Sequence, residues 1–284
     1  MGFCMGVRRA VRLAYAEAEN RKGRVCTLGP LIHNPQVLED LKSRGVEILD
    51  ETRLPQDLSG ALVVIRAHGV SPRVEGELRA RGAALIDATC PRVKASQLKA
   101  RALAEAGHRL FLAGEETHAE IAGILGYADA ASFCAVVGDA AEASAAAGRL
   151  ASEPCEGGKT ALIGQTTISE EEYQDIAESI AGFFPDLEVA DTICAATRER
   201  QDSLRELLGK VDAVVVVGGR ESANTRRLFA IAESSGKPCV LAQTAGEVPG
   251  EFFRVGAIGV TAGASTPDTV IDEVIDTARS RGIT

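Results

Sequence analysis

Residues 84–114 read ALIDATCPRVKASQLKARALAEAGHRLFLAG. The apolar run at 84–89 predicts a strand. Cys90-Pro91 then opens a helix, with proline at a first-turn position where it needs no amide partner. Gly107 closes that helix before a second apolar run at 109–114. Strand, helix and strand in this order predict parallel strands joined by a crossover. The same alternation continues in both directions. Further strands are predicted at 24–29, 61–67, 133–138, 160–164, 213–219, 239–243 and 257–262. Several are nearly continuous in Val, Ile and Leu, as strands buried on both faces tend to be. Helical stretches such as VRRAVRLAYAEAENR and RERQDSLRELLGK separate them, and Gly45, Gly107, Gly209 and Gly236 stand at predicted helix ends. The predicted class is α/β with mostly parallel sheets.

The totals restrict what such a fold can do. The 284 residues are 45% hydrophobic and 25% charged, enough apolar material for a large core or for two or three compact units. No apolar stretch is long enough for a transmembrane helix, and MGFCMGVRRA has no apolar export core, so a cytoplasmic location is expected. A net charge of -9 and the absence of Trp argue against nucleic acid as a partner. Seven cysteines scattered over a chain this long do not form a disulfide scaffold, and reduced thiols are expected.

A weak internal repeat organises the cysteines. Cys4 (GFCMGVRRAV), Cys90 (DATCPRVKAS) and Cys194 (DTICAATRER) each precede a helical stretch. His33 follows Cys4 by 29 residues, His118 follows Cys90 by 28, and Ser222 follows Cys194 by 28. A second polar loop then comes in each third of the chain, with His68, Thr166 and Ser265. The repeat predicts three similar α/β units, 1–90, 91–190 and 191–284, with the first residues free to pack on another unit. Ligands of open α/β sheets bind beyond the carboxyl ends of the strands. A pseudo-threefold arrangement would therefore gather the cysteines and polar loops at one central cavity.

Three thiols at helix N-termini suit a thiolate site, since the helix dipole and free amides favour the charged form. Soft thiolates select zinc, copper(I) or an iron–sulfur cluster, and three leave one position open. Spacings of 86 and 104 residues match no local metal motif, so burial of these cysteines as small apolar residues is the competing reading. Cys26, Cys134 and Cys239 lie in strand-like runs and are expected in the core, and Cys155 has no assigned role. His108 follows a glycine turn and is expected to be structural. His118 and Glu120 form a His-x-Glu pair that could relay a proton in a cleft. The loops holding His68, Ser222 with Asn224, and Ser265 offer hydroxyls, an amide and helix N-termini that can cradle a phosphate.

In order, GFCMGVRRA, LGPLIHN, RAHGV, DATCPRV, HAEIAG, QTTIS, DTICAAT, ESANTRRL and GVTAGASTPD span residues 2 to 268, and as a set they closely resemble the 4-hydroxy-3-methylbut-2-enyl diphosphate reductase family. The resemblance implies three α/β domains around a cavity and a 4Fe–4S cluster on Cys4, Cys90 and Cys194, with the fourth iron free of protein ligands. It implies removal of an allylic hydroxyl with two electrons and two protons, giving isopentenyl and dimethylallyl diphosphates in the last step of the non-mevalonate pathway. By motif, the diphosphate would lie among His33, His68, Ser222, Asn224 and Ser265, with His118 lining the cavity. Glu120 would supply the proton and Thr166 would position the substrate hydroxyl. The implied electron donor is a ferredoxin or flavodoxin, and no nucleic acid or membrane partner is implied.

Three features differ from the family pattern: no apolar strand before the Gly-Phe-Cys segment, Glu221 and Ala223 in a loop that usually reads Asn-Ser-Ser-Asn, and Ile124 where a threonine usually follows Gly123. A non-catalytic iron–sulfur or zinc sensor and a metal-free phosphate-binding module are the alternatives.

Overall fold

The computed structural model describes residues 2–20, 23–152 and 158–281, so Cys155 lies outside the described residues. It contains three parallel sheets, met in chain order, each covered by helices.

The first sheet is formed by β1 (Val25–Leu28), β2 (Glu47–Leu49), β3 (Leu62–Ile65) and β4 (Ala84–Asp87), in the order β2-β1-β3-β4. Its helices are α1 (Met5–Asn20), α2 (Pro35–Ser43) and α3 (Pro72–Ala80). The second takes β5 (Arg109–Ala113), β6 (Cys134–Val137), β7 (Thr160–Gly164) and β8 (Glu188–Val189), in the order β6-β5-β7-β8. Around it run α4 (Pro91–Glu105), α5 (Ala119–Tyr127), α6 (Ala140–Ser152) and α7 (Glu170–Ala181). The third has β9 (Ala213–Val217), β10 (Cys239–Ala242) and β11 (Ile258–Ala262), in the order β10-β9-β11, with α8 (Ala195–Leu208), α9 (Ala223–Ser234) and α10 (Asp268–Ser280). All pairings are parallel.

All nine predicted strands form. The two unpredicted ones, β2 and β8, are short edge strands with exposed residues, which carry little apolar signal. The central strands β1, β3, β5, β7 and β9 are buried or nearly so throughout, which explains their continuous Val, Ile and Leu. Each sheet has an apolar cluster on either face, for example Phe111 and Ile176 on one side of the second sheet and Leu110 and Ile124 on the other. Ile124, where the family usually has threonine, is therefore fully buried core. Cys26, Cys134 and Cys239 pack into these clusters as expected, and burial pushes the Cys134 thiol up to about 11. Gly45, Gly107 and Gly236 take left-handed φ values of 80°, 80° and 72° just beyond their helices. Gly209 differs, ending α8 in a right-handed conformation at φ -71°. No helix among the described residues is long and apolar enough to cross a membrane.

The sheets place the chemistry-bearing loops alike. His33 and His68 follow β1 and β3, His118 and Thr166 follow β5 and β7, and Ser222 and Ser265 follow β9 and β11. Each pair comes from the carboxyl ends of two adjacent strands of its sheet.

Candidate active site

Cys4 immediately precedes α1, while Cys90 and Cys194 are the N-cap residues of α4 and α8. Their carbonyls accept the first helical bonds, from Arg8, Lys94 and Arg198. Their amides point away from their own helices. Cys4 N–H donates to Ala264 O (3.0 Å), Cys90 N–H to Ala67 O (2.9 Å) and Cys194 N–H to Thr166 O (2.9 Å). Each acceptor belongs to the second polar loop of one sheet, and each helix packs with a different sheet. α1 contributes to the core of the first sheet, α4 to the second and α8 to the third. The contacts therefore close a ring: third sheet to first, first to second, second to third.

The three thiols face one cavity and interact. Burial raises the Cys90 pKa, the Arg92 and Val93 amides lower it, and the charges of Cys4 and Cys194 raise it again. Several negative thiolates close together need a cation, which a soft metal or cluster supplies. Gly6 on α1 keeps the space open, because a Cβ there would lie 2.5 Å from Cys90 Sγ. The residues present thus fit a thiolate-bound metal group.

The same cavity is lined by Cys4, His33, His68, Cys90, His118, Glu120, Thr166, Cys194, Ser222, Asn224 and Ser265. All eleven candidate site residues meet there.

Beyond the thiols stand three imidazoles. Ring centroids are 4.7 Å apart for His33 and His68, 5.2 Å for His68 and His118, and 5.8 Å for His33 and His118. One ring nitrogen from each lies within 4.8 Å of the other two, a spacing that also suits a metal ion. The tautomer of His118 favours another role. Its Nδ1 accepts from Glu120 N–H at 3.2 Å, which leaves the proton on Nε2 and makes that atom a donor. His33 Nε2, His68 Nδ1 and Asn224 Nδ2 are buried without partners. Buried polar atoms rarely stay unsatisfied unless something else occupies the site. Together they suit an anionic, oxygen-rich ligand.

Burial is the main cause that holds these imidazoles neutral. It lowers His33, lowers His68 well below the ordinary value and brings His118 to about 3. Neighbouring imidazoles and arginines add to the effect. Arg66 acts on all three histidines, Arg226 on His33 and His118, and Arg227 on His118. These arginines stand within the matched segments RAHGV and ESANTRRL, but the sequence alone assigns none of them to the site. Arg66 is buried and paired with Glu51 at 2.6 Å. Arg226 and Arg227 on α9 both pair with Glu115 after β5, and Arg227 also meets Glu172 at 3.2 Å. On the outer side of the three histidines a second pocket is lined by Arg66 and Arg226 together with Glu115 and Glu221, so guanidiniums stand within reach of an anion there but are balanced by carboxylates.

Ser222 caps α9, accepting from Thr225 N–H, and its hydroxyl is 3.3 Å from that of Ser265. Ser265 also reaches His33 O at 3.3 Å. Gly219 allows this approach, since a Cβ there would lie 2.3 Å from His33 O. Glu221 is exposed, and its charge opposes the lowering of the His33 pKa.

Glu120 is a buried carboxyl in the first turn of α5. Its Oε1 accepts from Thr166 N–H at 2.6 Å, and its Oε2 accepts from Thr166 Oγ1 at 3.0 Å. Burial raises its pKa to about 7, against the lowering effect of the Thr166 bonds and Arg227. Thr166 O accepts from both Cys194 N–H and Thr197 Oγ1. One residue thus joins the carboxyl to the thiol-bearing segment.

The sequence matches the family described as LytB protein over residues 1–279. It is 45% identical to the 4-hydroxy-3-methylbut-2-enyl diphosphate reductase of Treponema denticola, covering 96% of this chain and 95% of that one. The enzyme of the same name from Desulfovibrio desulfuricans is 42% identical, covering 95% and 94%. Among solved structures, the E-1-hydroxy-2-methyl-but-2-enyl-4-diphosphate reductase of Plasmodium falciparum superposes with a TM-score of 0.87 at 25% identity, covering 97% of this chain and 84% of that one. A second, titled (E)-4-hydroxy-3-methyl-but-2-enyl diphosphate reductase, the terminal enzyme of the non-mevalonate pathway, gives 0.70 at 37% identity, covering 98% and 96%. Sequence and fold agree over nearly the full length, and the chain belongs to the LytB family, which includes these 4-hydroxy-3-methylbut-2-enyl diphosphate reductases.

Proposed function

We propose that this chain is a reductase that removes the allylic hydroxyl of 4-hydroxy-3-methylbut-2-enyl diphosphate. Two electrons and two protons are consumed, water leaves, and isopentenyl and dimethylallyl diphosphates form, completing the non-mevalonate route in the cytoplasm. In this reading Cys4, Cys90 and Cys194 hold a 4Fe–4S cluster whose fourth iron has no protein ligand. When bound, that cluster supplies electrons and a Lewis-acidic site for an alcohol oxygen. A ferredoxin or flavodoxin delivers the electrons. The chain divides into units at 1–90, 91–190 and 191–284, with the substrate between them.

His33, His68, His118, Ser222, Asn224 and Ser265 bind the diphosphate. Their unpartnered donors and the N-termini of α2 and α9, neither with an acidic residue in its first turn, favour negative charge. Anchored there, the substrate directs its hydroxyl toward Thr166 and the thiol end. Thr166 orients that hydroxyl and holds both oxygens of Glu120. Glu120 delivers a proton, which its buried carboxyl retains near neutral pH. The buried surroundings exclude bulk water from the reacting end.

Glu120 carries this reading. A sensor or a binding module would have no use for a buried acid poised near pH 7 in the same cavity as three thiols and unpartnered anion donors. The test is anaerobic purification followed by iron and sulfide analysis, and a substrate-dependent oxidation assay with reduced methyl viologen. About four irons per chain and substrate-dependent dye oxidation are expected. A colourless, zinc-loaded protein without turnover would overturn the proposal.

A further inference from the structure

Arg200 lies two turns into α8, on the helix that Cys194 begins. Its Nη1 donates to Ala262 O at 3.0 Å and its Nη2 to Gly2 O at 2.5 Å. The side chain therefore joins the end of β11 to the segment that presents Cys4. Cys4 N–H donates to Ala264 O only two residues beyond Ala262, so two contacts fix that segment against the third sheet. Burial disfavours the Arg200 charge. Cys4, Asp268, Glu199 and Cys194 favour it, in that order. The guanidinium is thus coupled to two of the three thiols. Asp268 is the carboxylate with the largest effect on this charge, and it also forms a loose ion pair with Arg8 at 3.9 Å.

A cation held beside thiolate ligands stabilises whichever state of the bound group is more negative, which is the reduced one. Outer charges and hydrogen bonds are the protein's means of setting such potentials. Arginine suits the position because it stays protonated when half-buried and can bond two carbonyls at once. We propose that Arg200 is a positioning residue for the thiolate site, seating the Cys4 segment with its two hydrogen bonds and easing reduction of the bound cluster with its charge. This rests on the cluster assignment proposed above.

The experiment compares wild type, Arg200→Gln and Arg200→Lys by iron content, EPR-monitored redox titration and iron loss to a chelator. Arg200→Gln is expected to bind cluster with a reduction equilibrium about tenfold less favourable, a shift of about 59 mV to lower potential for one electron. Arg200→Lys keeps the charge but cannot span both carbonyls. It is expected to stay near the wild-type potential while losing iron faster. A cluster retained in Arg200→Lys but lost in Arg200→Gln would also support the charge role. An unshifted potential in Arg200→Gln would overturn the proposal, as would equal shifts in both variants or loss of cluster from both. Wild-type protein that binds no cluster would instead refute the functional assignment itself.

Discussion

Replacing Glu120 by Gln is expected to stabilise the metal-free protein at alkaline pH while removing turnover from the cluster-loaded enzyme. The carboxyl is buried, and its pKa rises from 4.5 to about 7. A raised folded-state value means the native state holds this proton more tightly than the unfolded chain does. Stability is therefore greatest below the unfolded value of 4.5 and falls as pH rises towards 7, beyond which the loss is complete. At about 1.4 kcal/mol per unit, the penalty is on the order of 3 kcal/mol. Gln cannot ionise, yet it has the same shape. Its oxygen can still accept from Thr166 N–H, and its amide can donate to Thr166 Oγ1. Urea unfolding of metal-free wild type and variant at pH 5 and pH 9 gives the measurement. Because part of the penalty is already present at pH 5, above the unfolded value, the variant should gain about 2.5 kcal/mol relative to wild type between the two pH values. Parallel pH dependences would refute the reasoning, because the carboxyl would then be neither buried nor shifted. Turnover should fall strongly in the variant and, in wild type, decline above about pH 7 as the acid ionises.

Inorganic diphosphate should take up protons when it binds. The three imidazoles are held neutral, His118 at about 3 and His68 well below its ordinary value, and an adjacent anion raises their pKa values. Calorimetry at pH 6 in buffers of different ionisation enthalpy should show this, and heats independent of buffer would count against it. Gly6→Ala gains about 1 kcal/mol of helix propensity, but its methyl would stand 2.5 Å from Cys90 Sγ and 2.9 Å from Cys90 Cβ, so the two segments must move apart and that gain is offset. The variant should lose bound iron, and full iron occupancy would contradict that. Serine at Cys4, Cys90 or Cys194 should abolish the cluster absorbance, while Cys26→Ser should keep it because Cys26 is buried in the core of the first sheet. Equal loss from all four would reject the ligand choice. Ser222→Ala should weaken diphosphate binding and cost about 1 kcal/mol of stability through the lost helix cap, measurable by calorimetry and urea unfolding.

Strands buried on both faces leave continuous apolar runs, so the central strands and the three-sheet plan were legible in the sequence. The edge strands β2 and β8 were not, because their exposed residues look like loop. The site residues were legible for a related reason. Each stands in the loop after a strand or at a helix start, and the near-equal spacings repeat that geometry along the chain. Contacts between distant backbone groups leave no such trace. The amide of Cys4 bonding Ala264, the closeness of Gly6 to Cys90 and the bridge from Arg200 to Gly2 depend on how the units meet. Arg226 and Arg227 were visible within ESANTRRL, but their partner Glu115 is remote in sequence.

The ring of cysteine amides has a consequence for synthesis on the ribosome. Two of its links, Cys90 to Ala67 and Cys194 to Thr166, have acceptors that are made before the cysteine itself, whereas Cys4 must wait for Ala264. The ring therefore closes only when the last loop of the third sheet folds back on the start of the first helix, and the three thiol-bearing segments are held together only from then on.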